Sequence, residues 1–152
     1  MNHFDVRDGA LHAEAVSLEA IAEDVGTPVY VYSTATLERH YGLMRDAVAA
    51  HRPALGEALI AFAVKANSNL SVLATLARMG CGADTVSEGE MRRALAAGVP
   101  ADRIILSGVG KTDAELAFAI KTGVRQINVE SAVELERLIV VAAGLGARGT
   151  LP

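Results

Sequence analysis

Residues 58–86, ALIAFAVKANSNLSVLATLARMGCGADTV, decide the fold, because two short apolar segments flank one amphipathic helix. The segments ALIAFAV (58–64) and GADTV (82–86) are brief and apolar rather than alternating, which is typical of parallel strands covered on both faces. The helix between them has one apolar stripe, formed by Leu70, Leu73, Leu76 and Ala77. The stretch therefore predicts a strand, a polar turn, a helix and a second strand.

The same pattern continues along the chain. Two further apolar segments, RIILS (103–107) and QINV (126–129), follow at intervals of roughly 20–25 residues. Each helix after the second strand begins with an S/T-x-x-E capping sequence, and these run Ser87–Glu90, Thr112–Glu115 and Ser131–Glu134. Four such units without hairpin signals between them predict a parallel sheet with right-handed crossovers.

Four units make about half of a closed (β/α)8 barrel, which needs about 200–250 residues. The tail GLGARGTLP (144–152) carries no strand or helix signal that would cover an open sheet edge. We therefore expect an α/β chain whose parallel βα repeats form about half of a (β/α)8 TIM-type barrel, truncated at its end.

The N-terminal third has a different pattern. PVYVY (28–32) is β-branched and aromatic, which predicts a strand, and a helix is expected from about residue 34 to 50. Residues 18–25 predict a short helix that ends at Gly26.

Composition excludes several classes of protein. A hydrophobic content of 51% excludes a disordered chain, and a net charge of −4 without a basic face gives no indication of nucleic-acid binding. Neither a signal peptide nor an apolar run of the roughly 18–20 residues that span a membrane is recognisable. The single cysteine, Cys81, excludes an internal disulfide, so we expect a cytoplasmic protein.

Ligands of parallel α/β sheets gather at the carboxyl ends of the strands, so the polar residues there are the candidates. Lys65 follows seven apolar residues, and an amine there can be desolvated enough to become nucleophilic toward an aldehyde. Position alone favours the other reading, a solvated lysine at a strand end. Asp84 interrupts the second strand and needs a partner, for which either Lys65 or the backbone of a turn is available.

The remaining candidates have simpler explanations. Ser87, Glu90, Ser131 and Glu134 are accounted for as capping pairs. The GKT sequence at 110–112 is not a P-loop, because Ile105 stands where that motif requires glycine. Cys81 is expected to be a small packed residue. The four histidines show no site-like spacing, and no metal site is predicted.

Four motifs carry a family resemblance: FAVKANSN (62–69), GADTVSEGEMRRALAAG (82–98), ILSGVGKTDAEL (105–116) and QINVESAVELERL (126–138). Together they resemble the N-terminal part of the diaminopimelate decarboxylases, within the alanine racemase-like class of pyridoxal-phosphate enzymes. One departure is Glu88, where the family motif usually has glycine; the start of a helix should tolerate it.

The resemblance implies a domain assignment and a site. Residues 1–33 would be an N-terminal segment whose strand belongs to a β domain, and residues 34–152 would be an incomplete pyridoxal-phosphate-binding barrel. Lys65 matches the catalytic lysine that forms a Schiff base with pyridoxal 5'-phosphate, whereas Ala63 and Asp84 match cofactor-contacting positions. The phosphate loops and the substrate pocket of the family would follow residue 152.

The implied reaction is decarboxylation of meso-2,6-diaminopimelate to L-lysine, in lysine biosynthesis, by a homodimer of the full-length protein. The 152-residue chain itself is expected to be an inactive or incomplete fragment. Two alternatives stay open: another decarboxylase or racemase of this class, acting on ornithine, arginine or alanine, and a non-catalytic fragment that binds pyridoxal phosphate. Residues beyond 152 would discriminate between the substrates.

Overall fold

The computed structural model describes residues 2–147. The chain divides into two compact units, Met1–Ala54 and Leu55–Pro152, and each is described by itself. The assignment of residues 1–33 to a β domain stays a prediction, and the part of the tail at 148–152 lies outside the described residues.

The first unit opens with three short antiparallel strands, β1 (Phe4–Arg7), β2 (Ala10–Ala13) and β3 (Val16–Ser17). Sequence analysis missed them. The two-residue turn Asp8-Gly9, with φ of 50° and 82°, was the available signal, because Asp-Gly suits the left-handed turn that closes a tight hairpin.

Two helices follow, α1 (Leu18–Val25) and α2 (Thr34–Ala50). Both predictions are confirmed, including the end of α1 at Gly26. Residues 28–32, predicted as a strand, form no strand within residues 2–147, and Tyr30 is 88% exposed. Their pairing in a β domain, which the family resemblance implies, stays a prediction. β-branched and aromatic content favours a strand only where another strand supplies hydrogen bonds.

A one-turn helix, α3 (Arg52–Leu55), leads into the second unit, which contains the predicted βα repeat. Its strands and helices are β4 (Ala61–Ala63), α4 (Leu70–Arg78), β5 (Gly82–Thr85), α5 (Glu88–Ala96), β6 (Ile104–Leu106), α6 (Asp113–Thr122), β7 (Gln126–Ile127) and α7 (Ala132–Gly144). The strands are parallel and lie in the order β4-β5-β6-β7. This sequential parallel arrangement confirms the predicted half of a TIM-type barrel, with strands shorter than expected.

The helices of this unit begin where the capping sequences predict. Thr112 Oγ1 accepts from the Glu115 backbone N–H, while Glu115 bonds back to the Thr112 N–H, which completes a capping box. At α5 and α7 the glutamate reaches one residue further back, from Glu90 to the Val86 N–H and from Glu134 to the Glu130 N–H. Each glutamate side chain thus stabilises the strand-to-helix turn as well as the start of the helix.

One face of the sheet packs against the helices. Ala83, Ile104, Leu106 and Ile127 point into a core that includes residues of every helix from α4 to α7. The side chains of the other face are half-buried or exposed, among them Ala63, Asp84 and Ile105. This second face is accessible in the described residues, and it carries the predicted site residues Ala63 and Asp84.

Within residues 2–147, none of the helices combines the length and the apolar character that crossing a bilayer requires.

Candidate functional site

Lys65 lies immediately beyond the carboxyl end of β4. The strand ends at Ala63, and a single 3-10 turn, Val64–Ala66, turns the chain toward α4. Val64 is fully buried in the core, whereas the next side chain, Lys65, is exposed. The buried valine anchors the turn, and the amine is presented at the edge of the sheet where ligands of parallel sheets bind.

The exposure of Lys65 agrees with the solvated strand end that position alone favours, and not with a desolvated amine. Its Nζ has no hydrogen bond or ion pair with any residue of the described chain. The amine is therefore available for reaction with a bound molecule.

Ala63 and Asp84 are brought together by the sheet register. They are direct partners across β4 and β5, so the small methyl side chain sits beside the carboxylate. Asp84 is half-buried on the accessible face of the sheet. Two of the three predicted site residues therefore lie side by side, and the third, Lys65, is two positions further along the chain from Ala63.

The partner of Asp84 is Ser107, not Lys65. Ser107 Oγ donates to Asp84 Oδ1 over 2.5 Å, and no ion pair joins Lys65 to Asp84 within residues 2–147. Neither of the two partners considered for Asp84, Lys65 and the backbone of a turn, is the partner found among the described residues. The register explains the difference: Asp84 lies opposite Ile105 of β6, and Ser107 is the next residue on the same side of that strand.

Two further hydrogen bonds extend from Ser107 to the end of β7. Asn128 Nδ2 donates to Ser107 Oγ over 2.9 Å, and Gln126 Nε2 donates to Asn128 Oδ1. One line of hydrogen bonds therefore crosses the carboxyl ends of three adjacent strands. The sequence shows Ser107 at the end of RIILS and Asn128 within QINV, but only the strand register shows that their side chains meet.

A second polar cluster lies beneath the loops that follow β6 and β7. Lys111 is 3% exposed, and its Nζ donates to three oxygens: Gly108 O at 2.6 Å, Asn128 O at 2.7 Å and Glu134 Oε1 at 2.7 Å. An ammonium group has three hydrogens, so every donor is used. Glu134 is 6% exposed and also accepts from the Glu130 backbone N–H.

The pKa of Glu134 lies below its usual value. Burial is the largest influence and acts to raise this pKa, but the hydrogen bond and positive charge of Lys111, the Glu130 N–H and the charge of Arg137 together outweigh it. Glu134 is thus held as a carboxylate inside the fold. Its capping role is confirmed by the Ser131 Oγ bond to its N–H, and its ion pair with Lys111 was not foreseen.

A shallow cavity of about 210 Å³ adjoins this pair and is lined by Gly110, Lys111, Ser131 and neighbouring residues of α7. All three hydrogens of the Lys111 amine are already bonded within the protein, so this cavity offers no reactive amine. Lys65 is the better candidate for covalent chemistry.

The remaining candidates have structural roles. Ser87 caps α5, and Glu88, the departure from the family motif, is tolerated at the first position of that helix, where it pairs with Arg92 at 2.7 Å. Cys81 is buried, its Sγ lies 3.4 Å from Ile60 O, and burial raises the pKa of its thiol, as befits a packed residue. No group of three or more potential metal ligands lies together within residues 2–147.

Comparison with known proteins shows which family the chain belongs to. The model of the pyridoxal-binding domain of pyridoxal-dependent decarboxylases matches residues 38–148. The chain belongs to this family. It is 51% identical to the diaminopimelate decarboxylase of Pseudomonas fluorescens over 99% of this chain and 35% of that protein, and 48% identical to that of Vibrio cholerae over the same shares.

A solved member of the family has the same fold over the shared part. The crystal structure of diaminopimelate decarboxylase from M. jannaschii in complex with L-lysine gives a TM-score of 0.90 at 34% identity, covering 94% of this chain and 33% of that chain. The chain therefore spans about a third of the length of these pyridoxal-dependent decarboxylases.

The strand-end residues fit the cofactor of the family. Pyridoxal phosphate carries an aldehyde, which reacts with a primary amine, and Lys65 presents an exposed amine without a partner among the described residues. The methyl side chain of Ala63 takes up little space beside the Asp84 carboxylate, so a ring can approach the accessible face of the sheet there.

Proposed function

We propose that the protein to which this chain belongs decarboxylates meso-2,6-diaminopimelate to L-lysine, with pyridoxal 5'-phosphate held on Lys65. The observation that carries the proposal is the exposed Lys65 amine beyond the end of β4, next to the Ala63–Asp84 pair. Support for the substrate comes from the names of the relatives, diaminopimelate decarboxylases that this chain matches at 48% and 51% identity.

Each residue of the site has a definite task in this proposal. Lys65 would hold the cofactor through its side-chain nitrogen. Asp84 would supply negative charge near the bound cofactor, and the small side chain of Ala63 would leave room for it. When bound, pyridoxal phosphate supplies an electron-withdrawing ring that accepts the electron pair left as carbon dioxide departs.

Visible absorption tests the binding part of the proposal. Adding pyridoxal phosphate to the chain should give a new absorption band that is lost in Lys65→Ala and retained in Lys121→Ala. Lys121 is the matched control, because it is also exposed but lies in the last turn of α6. A band that persists in Lys65→Ala would show that the cofactor binds elsewhere.

A chimaera tests whether this chain supports the reaction. The corresponding third of the Pseudomonas fluorescens diaminopimelate decarboxylase is replaced by this chain, and carbon dioxide release from meso-diaminopimelate is measured. We expect release that is abolished by Lys65→Ala and retained in Lys121→Ala. A folded chimaera that releases no carbon dioxide, or one that Lys65→Ala leaves active, would contradict the role of Lys65.

We infer that the complete protein is a homodimer, as the resemblance to the family implies, and that it is cytoplasmic, as the single cysteine favours. Sedimentation of the chimaera and of the parent enzyme tests the assembly. We expect both to have a mass twice that of one subunit, and a monomeric chimaera would contradict the inference.

A further inference from the structure

The hydroxyl hydrogen of Ser107 has one available direction. Asn128 Nδ2 donates to Ser107 Oγ over 2.9 Å, so the hydroxyl accepts from that side. An ionised carboxylate only accepts hydrogen bonds. The hydroxyl therefore donates to Asp84 Oδ1, across 2.5 Å.

The amide of Asn128 is oriented by its own neighbour. Gln126 Nε2 donates to Asn128 Oδ1, which leaves the Asn128 amino group to face Ser107. Each member of the line thus donates toward Asp84, from β7 through the end of β6 to β5. Reversing the amide of Asn128 would break both of its contacts, so these bonds favour one orientation of the side chain next to Ser107.

These side chains are not needed to hold the strands together. The backbone ladder already continues past the strand ends, with Ser107 N donating to Thr85 O over 2.7 Å and Asn128 N donating to Leu106 O over 2.8 Å. The side-chain line is additional to this ladder and ends on a carboxylate of the candidate site. Its effect is to fix the Asp84 side chain.

We propose that Ser107 and Asn128 are positioning residues that act through Asp84. They occupy Oδ1 and leave Oδ2, which has no partner among the described residues, for the molecule that binds at Lys65. This inference rests on the proposed function, because it gives Asp84 a task only if the ligand is held at Lys65. Because the Asp84 carboxylate is already held in one position, it does not have to reorient when positive charge develops beside it.

The preference of reductive labelling for Lys65 over Lys121 tests the inference. The whole chain is incubated with pyridoxal phosphate and borohydride; the lysine amine condenses with the aldehyde, water leaves, and hydride from borohydride produces a stable secondary amine. Peptide mass spectrometry then gives the extent of modification at Lys65 relative to exposed Lys121. We expect a strong preference for Lys65 in the wild-type chain, and a preference about fivefold to tenfold lower in Asp84→Asn.

Ser107 variants separate positioning from a structural role. Ser107→Ala should lower the preference for Lys65 as much as Asp84→Asn does, and Ser107→Thr, which keeps the hydroxyl, should restore it. The double variant Ser107→Ala/Asp84→Asn should show no further fall, because Ser107 acts only through Asp84. Thermal unfolding of each variant checks that the chain is folded. Asn128→Ala should act in the same direction and replaces Ser107→Ala if that variant does not fold.

The outcomes are distinguishable. Equal modification of Lys65 and Lys121 in the wild-type chain would overturn the proposed function and this inference with it. A wild-type preference that Ser107→Ala leaves unchanged would overturn the inference alone. An additive fall in the double variant would also overturn it, since Ser107 would then act independently of Asp84.

Discussion

Lys65, Lys111 and Lys121 are the lysines of this chain, and each has a different environment. Lys65 is exposed at a strand end, Lys121 is exposed on a helix, and Lys111 is buried with three oxygen acceptors. The same side-chain chemistry therefore gives a candidate reactive amine, a control amine and a structural ion pair. What differs is the number of acceptors that the fold places around each nitrogen.

The buried pair makes a prediction about stability. Glu134→Gln leaves the Lys111 ammonium group buried without its counter-charge, which should lower the free energy of unfolding by about 3–5 kcal/mol. The double variant Lys111→Met/Glu134→Leu removes both charges and should be less destabilised than Glu134→Gln. Urea unfolding at neutral pH measures both. A Glu134→Gln chain as stable as the wild type would contradict the importance of the pair.

The lowered pKa of Glu134 makes a prediction about pH. Its carboxyl binds protons less readily in the folded chain than at the ordinary value of 4.5 expected after unfolding. Its contribution to stability is thus fully present above about pH 4.5 and is lost as pH falls through the lower, folded-state pKa. Unfolding measured between neutral pH and acid should show a smaller acid loss in Lys111→Met/Glu134→Leu than in the wild type. Identical pH profiles would contradict this.

At the level of the elements, the backbone of β5 approaches the turn before β6 closely at Gly82. A Cβ atom on Gly82 would lie 2.5 Å from the backbone oxygen of Arg103 and 3.1 Å from a methyl carbon of Leu59. A backbone oxygen cannot rotate away as a side chain can. The strand therefore requires glycine at this position, although its backbone φ lies outside the left-handed region.

Gly82→Ala should therefore destabilise the second unit, by about 1–3 kcal/mol as in other overpacked sites. Gly89→Ala is the matched control, since Gly89 lies within α5 and a Cβ there would be 3.8 Å from Ser87 Oγ. Alanine is the better helix former, so the control should be neutral or stabilising by up to about 1 kcal/mol. Thermal unfolding compares the two, and equal destabilisation would contradict the packing explanation.

Local signals predicted most of the elements. Capping sequences located the starts of α5, α6 and α7, and short apolar segments located all four parallel strands, because both signals act within a few residues. The segment at 28–32 has the composition of a strand but no partner within residues 2–147, because composition does not reveal what a strand pairs with. The hairpin at Asp8-Gly9 was predictable and was overlooked.

Contacts between distant residues were harder to foresee. Asp84 and Ser107 are 23 residues apart, as are Lys111 and Glu134, and only the strand register and loop paths bring each pair together. Position singled out Lys65 and Asp84, and the family resemblance added Ala63 and the roles of all three, but neither predicted the hydrogen bonds from Asn128 through Ser107 to Asp84. A single sequence shows which polar residues follow the strands; it does not show which of them touch.

At the scale of the whole molecule, the second unit is a four-stranded parallel sheet with helices on one face and the candidate site on the other. Within the described residues, β4 and β7 each pair along one edge only. The chain spans about a third of the length of its relatives. It nevertheless contains the amine on which the proposed chemistry depends, together with a carboxylate fixed by the neighbouring strands.

The site of pyridoxal phosphate attachment is the most direct test of the central claim. The folded chain is treated with pyridoxal phosphate and borohydride, and the modified lysine is located by peptide mass spectrometry. We expect modification mainly at Lys65, a low background at Lys121, and none at buried Lys111. Modification of Lys65 no greater than that of Lys121 would contradict the claim that this strand end holds the cofactor.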